Sequence, residues 1–349
     1  MLEHPKQFSK KFISDLFKRE SSELSSFKFM PVGSGQVGDC FRIILDWKQE
    51  KDSPSSLIAK CPAENQSSRD TARNLHLYEI ETSFFKFLSP RCKARVPECY
   101  FDEFDSKTGD GILILEDMLP AKQIPQMNGC SKMEVSMVLK EAAALHKSYW
   151  NDEHLLSYPW LTYSFSDERK KFVTDLLPVA YPEWKKRYQG RISEDIFEMG
   201  DILFFNYSEY SNVEEGPMTL IHGDLRLDNL LFTDENKRAI LLDWQTAAVG
   251  LPLNDVAYFI STSFANPNDR EKEEERLVAQ YHKLLDVNDT YSFDEAWSDY
   301  RRASFVGFIM AVLSAMIVKR TDRGDEMFAV MAERSAWQAL HLDALSFIT

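Results

Sequence analysis

Three things are scarce in this chain of 349 residues: paired cysteines, positive charge and long apolar runs. The five cysteines, Cys40, Cys61, Cys92, Cys99 and Cys130, are odd in number and include no C-x-x-C pair and no Cys/His cluster at zinc spacing. That argues against a disulfide framework and reads as reduced thiols in a cytoplasmic protein. Lys and Arg number 41 against 55 Asp and Glu, a net charge of −14. A surface this acidic repels nucleic acid and anionic membranes, so neither is expected as a partner. The most apolar run, residues 303–318, is shorter than the ~20 residues that span a bilayer and reads as a buried helix. Near the N-terminus, residues 8–19 read as a short amphipathic helix rather than the apolar core of a signal peptide. No internal repeat or low-complexity tract is seen.

What is present suits a globular chain with two domains. Apolar residues make up 44% and charged residues 28%. The 24 Phe, 13 Tyr and 7 Trp supply material for large cores and lined pockets. Residues 1–118 read as strand-rich. Strands are expected over 27–32, 40–46, 57–60, 98–104 and 112–115, the last two joined by the Thr-Gly-Asp-Gly turn at 108–111. A Gly-rich turn occupies 33–38, and one helix is expected over 71–88, with Leu77, Ile80, Phe84, Phe85 and Leu88 at helical spacing. Pro120, Pro125, Asn128 and Gly129 mark a linker at 119–131. From 132 onward helices dominate: one carries Val135, Val138, Leu139, Ala142, Leu145 and Tyr149 on one face, and others run over 166–178, 193–210, 270–285 and 293–319. A strand-rich island interrupts them at 218–243. The domains expected are 1–118 and 119–349.

The island carries the chemistry. It reads LIHGDLRLDNLLF over 220–232 and ILLDWQ over 240–245, so two apolar runs bracket a polar loop and each delivers a carboxylate. Asn229 follows Asp224 by five positions, and Asp243 follows Asn229 by fourteen. Phosphoryl transfer needs such a set. One carboxylate orients or deprotonates the attacking hydroxyl, and an Asn and an Asp hold Mg²⁺ against the phosphates. Protein kinases place the same Asp-to-Asn spacing in H-R-D-x-x-x-x-N. The other parts come in the expected order. Lys60 ends an apolar strand, where a phosphate-binding lysine belongs. Glu81 on the following helix is placed to pair with it, with Glu79 as a rival. Gly33, Ser34 and Gly35 open a turn whose backbone N–H groups suit phosphates.

Taken together, HGDLRLDN at 222–229, DWQ at 243–245, and Pro252 with Asp255 in GLPLNDVAYF resemble the aminoglycoside phosphotransferase and choline kinase superfamily, in particular its ecdysteroid-kinase-like branch. IAK at 58–60, Glu81, LILED at 113–117 and Leu145-His146 add to the likeness, which spans residues 30–265. The resemblance implies an α+β, two-lobed protein-kinase-like fold, with a small antiparallel-sheet N-lobe that binds ATP and a larger, mostly helical C-lobe that binds the acceptor. It makes Asp224 the catalytic base, Asn229 and Asp243 the Mg²⁺ ligands, Lys60 the phosphate contact and Glu81 its positioner. Glu116, Asp117 and Met118 would form the hinge that meets adenine. Asp255 would brace the catalytic loop, and His146 would either hydrogen-bond the same region or take a chemical role. The turn GSGQVGD departs from the fuller protein-kinase glycine pattern.

A small-molecule hydroxyl is the expected acceptor. Only twelve positions separate Asp243 from Asp255, with no A-P-E motif to support a peptide, and Gly223 replaces the Arg of H-R-D. An atypical protein kinase is therefore the less fitting reading. A nucleotide-binding pseudokinase scaffold is opposed by intact Lys60, Asp224, Asn229 and Asp243. Trp160, Trp184, Tyr258, Trp297 and Tyr300 are candidates to line the acceptor pocket. Acidic loops suit a cationic amino sugar or a choline-like acceptor; the aromatics suit a sterol or hydroxyacyl group.

Overall fold

The computed structural model describes residues 2–33, 37–49, 53–163, 166–212, 216–234 and 237–348. The chain divides into two compact units. The first holds Met1–Arg91, Val96–Pro120 and Asp243–Thr246; the second holds Cys92–Arg95, Ala121–Leu242 and Ala247–Thr349. The fold is the α+β kinase-like one that the resemblance implies, with an antiparallel sheet in the smaller unit and mostly helix in the larger.

In the first unit, α1 (Lys10–Leu16) precedes β1 (Leu24–Pro31), β2 (Gly38–Trp47) and β3 (Ser56–Pro62). Next come α2 (Gln66–Asn74), α3 (Leu77–Ser83), β4 (Cys99–Asp105) and β5 (Asp110–Glu116). The five strands form one antiparallel sheet in the order β1-β2-β3-β5-β4. Alternation builds its core: Ile43, Leu45, Leu57, Ala59, Ile112 and Ile114 are buried together with Ile13 of α1. On β3 the residues facing that core are Leu57, Ala59 and Cys61, so the period of two turns Lys60 to the opposite face.

The helix expected over 71–88 is broken. His76 adopts φ +56, a left-handed conformation that no right-handed helix continues through, and it separates α2 from α3. The last turn, Phe84–Leu88, widens to π-type spacing. The β4–β5 turn falls where Thr-Gly-Asp-Gly places it, with Gly109 at φ +76. Directly after it, the buried Asp110 accepts hydrogen bonds from Arg69 at 2.9 and 2.5 Å and from Arg73 at 2.8 and 2.6 Å, tying α2 to β5.

The second unit begins with α4 (Lys132–Ser148), opened by a Ser131/Glu134 capping box. The face of α4 expected from periodicity is fully buried, from Val135 to Leu145, and Tyr149 just past its end is buried with it. There follow β6 (Thr162–Tyr163), α5 (Asp167–Tyr188), α6 (Glu194–Phe205), α7 (Tyr207–Ser211) and β7 (Thr219–Ile221). Then come β8 (Leu230–Thr233), β9 (Arg238–Leu241), β10 (Ala248–Gly250), α8 (Pro252–Ser263) and α9 (Pro267–Leu285). Helices α10 (Phe293–Ala303), α11 (Val306–Ile317) and α12 (Asp322–His341) complete the chain. The island at 218–243 thus becomes β7 followed by the β8–β9 hairpin; β7 lies in a small sheet in the order β6-β10-β7.

Two helices expected as single are split. Asn206 separates α6 from α7, its side-chain amide turning back to the Ile202 carbonyl at 3.0 Å. Ser304 turns back to the Arg301 carbonyl at 2.7 Å between α10 and α11. Among the described residues, Phe293–Ile317 is long and apolar enough to cross a membrane by length and composition; 61% of its most apolar window is buried inside the protein. Gly307 lets α11 approach its neighbours closely, since a Cβ there would overlap Ser335 Oγ and lie 2.8 Å from Ser261 Oγ.

Candidate active site

Three of the predicted residues meet in the first unit. Lys60 Nζ hydrogen-bonds Glu81 Oε1 and also Asp243 Oδ1, the latter at 2.8 Å. Glu79 instead contacts His76 Nδ1 at 3.0 Å. The helix explains the difference: Glu81 lies three and four positions before the buried Phe84 and Phe85, so it shares their inward face. Glu81 Oε1 also accepts the Trp244 backbone N–H at 3.2 Å, and the Trp244 ring stacks on Phe84 at 3.8 Å and 6°. Burial opposes charge on Lys60, but Asp243 and Glu81 outweigh it and raise its pKa, so the ammonium stays charged. Burial raises the Glu81 pKa, with Lys60 and the Trp244 N–H working against it. Asp243 sits at φ +65, a left-handed conformation that Asp tolerates better than most residues.

The residues expected to form a hinge lie at the end of β5, which closes on Glu116, and just beyond it. Glu116 Oε2 accepts the Glu98 N–H at 3.0 Å. Asp117 is held by Arg42 Nε at 2.6 Å and Ser56 Oγ at 2.7 Å, which places its carboxylate in a structural pair. Met118 is half-buried. Gly33 has φ +75 directly after β1 and Val32, with nothing within 4 Å of where a Cβ would stand. Ser34 and Gly35 lie outside the described residues.

In the second unit, the loop after β7 is hung from α8. Asp255, buried in the first turn of α8, accepts the His222 N–H at 2.6 Å and the Gly223 N–H at 2.9 Å. His146 of α4 meets the same carboxylate at 3.2 Å and Tyr281 Oη at 2.7 Å. Burial alone would raise the Asp255 pKa, yet the bonds from His146 and His222 hold it below the ordinary carboxylate value. His222 donates through Nε2 to the Leu242 carbonyl at 2.8 Å, which leaves Nδ1 to accept the Asp224 N–H at 3.3 Å. Gly223 sits at φ +79, where a side chain would be strained.

Asp224 emerges from this loop with three partners. Tyr258 Oη donates to Oδ1 at 2.8 Å, Asn229 Nδ2 to Oδ2 at 2.8 Å, and Arg226 Nε to both oxygens at 3.0 and 3.1 Å. The Asn229 amide nitrogen also reaches the Asp224 carbonyl at 2.9 Å. Its amide oxygen accepts no hydrogen bond among the described residues, so it is the atom that suits a hard cation. No group of three or more His, Cys, Asp or Glu that could hold a metal occurs among the described residues.

Sequence reasoning did not foresee the grip of Arg226 and Tyr258 on Asp224. Tyr258 was legible only as an aromatic, although its place one turn after Asp255 puts both on one helix face. Of the other aromatic candidates, Trp184 and Tyr300 are fully buried: Trp184 in the core formed with α6 and α11, Tyr300 against Glu274. Trp297 stacks on Tyr300 at 5.3 Å, and Trp160 packs beside Tyr158 at 5.4 Å. Core packing accounts for Trp184 and Tyr300, because their surface is spent on neighbours.

Residues 33–290 match the sequence profile of the ecdysteroid kinase-like family. Among curated proteins, the chain is 28% identical over 187 residues to acyl-CoA dehydrogenase family member 11 of Pongo abelii, a stretch covering 48% of this chain and 23% of that protein. The chain thus spans about a quarter of the length of that relative. Among solved structures it resembles the GDP complex of aminoglycoside 2'-phosphotransferase-IIIa, with a TM-score of 0.55 at 13% identity over 89% of this chain and 94% of that one. It also resembles the ethanolamine kinase of Plasmodium vivax, with a TM-score of 0.53 at 15% identity over 99% of this chain and 91% of that one.

Proposed function

The chain belongs to the ecdysteroid kinase-like family, a kinase-like phosphotransferase family, and from that premise we propose that it transfers the γ-phosphoryl group of Mg·ATP to a hydroxyl of a small molecule. The observation that carries this reading is the junction of Lys60 with Glu81 and Asp243, residues 21 and 183 positions away in sequence. A strand lysine paired with a glutamate on the following helix is the arrangement by which kinases fix a charge against phosphates. In this reading residues 1–118 bind ATP and residues 119–349 bind the acceptor and carry the catalytic loop. Lys60 contacts phosphate oxygens, and Glu81 keeps its ammonium in place. The turn at Gly33, Ser34 and Gly35 faces phosphate, and the backbone of Glu116 and Met118 meets the base. Asn229 through its amide oxygen and Asp243 through its carboxylate hold Mg²⁺. When bound, that ion supplies positive charge against the phosphates.

Asp224 orients the acceptor hydroxyl and takes its proton as the phosphoryl group arrives. The transition state of such transfers is loose, so orientation outweighs early deprotonation. Asp255, His222 and His146 set the loop from which Asp224 projects. We place the enzyme in the cytoplasm, where its five free thiols stay reduced. The test is ADP formation from Mg·ATP across a panel of alcohols, repeated with Asp224→Asn. Asn keeps the shape but not the charge, so turnover should fall by about 10²–10⁴-fold while calorimetry shows ATP affinity within a few fold. A variant turning over at the wild-type rate would remove Asp224 from the chemistry.

A further inference from the structure

An ionised carboxylate offers about four acceptor positions. On Asp224 all four are taken by the protein: Tyr258 Oη and Arg226 Nε on Oδ1, Asn229 Nδ2 and the same Arg226 Nε on Oδ2. An acceptor hydroxyl can therefore donate to Asp224 only by displacing a resident donor. The three differ in how readily they leave. Tyr258 is buried on α8, and its hydroxyl has Asp224 as its partner. Withdrawing it would strand a polar group in the core. Asn229 is tied a second time, to the Asp224 carbonyl. Arg226 divides one N–H between two oxygens at 3.0 and 3.1 Å, a weaker arrangement than a linear bond.

Arg226 also has somewhere to go. Its Nη1 already reaches Asp228 Oδ2 at 3.4 Å. Asp228 is itself fixed, by the Gln126 N–H at 3.0 Å and by Arg323 Nη2 of α12 at 2.9 Å. A guanidinium that slides from Asp224 to Asp228 exchanges one carboxylate for another and keeps its charge paired. The remaining contact of Nη1, with Met327 Sδ at 3.4 Å, is soft.

We propose that Arg226 is the residue by which the site discriminates an alcohol from water: it occupies the position on Asp224 that the acceptor hydroxyl must take, and it yields to Asp228 only when an acceptor binds. This rests on the phosphotransfer reading above. In the productive reaction the alcohol oxygen bonds to the γ-phosphorus, the bond from that phosphorus to the bridging oxygen breaks, ADP leaves, and the hydroxyl proton passes to Asp224 and on to solvent. In the wasteful one, water forms the same bond and gives ADP, inorganic phosphate and a proton. Water has no further body whose binding could drive Arg226 away, whereas an alcohol substrate does.

The experiment needs no acceptor. The wild-type chain, Arg226→Met and Arg226→Lys are incubated with Mg·ATP alone, and inorganic phosphate release is followed. Arg226→Met keeps an apolar stem beside Met327 and frees two positions on Asp224. It should raise phosphate release by roughly threefold to tenfold, the equivalent of one net hydrogen bond. Arg226→Lys keeps the charge but not the planar fork, and should fall between the two. If Arg226→Met melts far below the wild type, the sign of the Arg226→Lys change decides. A fall or no change in folded variants overturns the role of Arg226, because a residue that merely positions Asp224 would slow hydrolysis when lost. Calorimetric titration of Mg·ATP into the wild type separates the two readings: no binding overturns the phosphotransfer assignment itself, while intact binding with unchanged phosphate release overturns only the assignment of Arg226.

Discussion

At the scale of the residue, charge is the quantity under tightest control. Asp243→Asn removes one of the two carboxylates that share Lys60 and, in the proposed reading, a ligand of Mg²⁺. It should weaken Mg·ATP binding by at least about tenfold, or ~1.4 kcal/mol, and remove its Mg²⁺ dependence, while circular dichroism stays that of the wild type. Calorimetry with and without EDTA checks this; equal affinities in wild type and variant would take Asp243 out of the metal site. Asp224, Asn229 and Asp243 stand out in the sequence as candidates because few roles require an Asp, an Asn and an Asp at fixed spacing between two apolar runs. Glu81 was harder to separate from Glu79, since residues two apart on a helix point to nearly opposite sides and either side suits a glutamate. The bonds to Asp224 from Arg226 and Tyr258 could not be read at all. An arginine two positions along a loop is ordinarily solvated, and a tyrosine among Val256, Phe259 and Ile260 is ordinarily core.

Elements are fastened by a few contacts whose loss can be measured. Asp110 fastens β5 to α2. Burial works to raise its pKa, but hydrogen bonds from Arg69 and Arg73 outweigh that and lower it to about 2. A carboxyl whose folded pKa is depressed adds stability above its unfolded pKa of about 4 and loses it as pH falls towards 2. Asp110→Asn should thus cost about 3 kcal/mol near neutrality, and the gap from wild type should close as pH drops from 4 to 2. Denaturant titrations at several pH values follow it; a gap independent of pH would contradict the assignment. Gly307 is the corresponding point in the larger unit. Gly307→Ala forces Ser335 or Ser261 to shift and should cost about 1–3 kcal/mol, read as a lower urea midpoint with an unchanged slope. Strands and the β4–β5 turn were predictable from alternation and turn chemistry. The breaks at His76, Asn206 and Ser304 were not, because each lies inside a pattern whose apolar period continues across it and none is marked by Gly or Pro.

For the whole molecule, ligand binding and stability are one measurement. A nucleotide that binds only the folded chain raises stability by about 2.7 kcal/mol at a hundred times its Kd. Mg·ATP should accordingly raise the melting temperature by several degrees, and ATP with EDTA by much less. Equal shifts with and without the metal would count against Mg²⁺ at Asn229 and Asp243. The acidic composition gave no hint that Asp224 and Asp228 would each be paired with arginine.

The segment Asp243–Thr246 belongs to the first compact unit, although both of its neighbours in the chain belong to the second. Neither unit is therefore a continuous stretch that could be cut out and expressed whole. A fragment ending at Pro120 would contain Lys60, Glu81 and Phe84, yet lack the indole that stacks on Phe84 and the carboxylate that shares the lysine. Gene fusion or truncation at that apparent border would produce a lobe with its core open on one side. Split-protein complementation should accordingly tolerate a nick in a surface loop far better than a separation of the lobes.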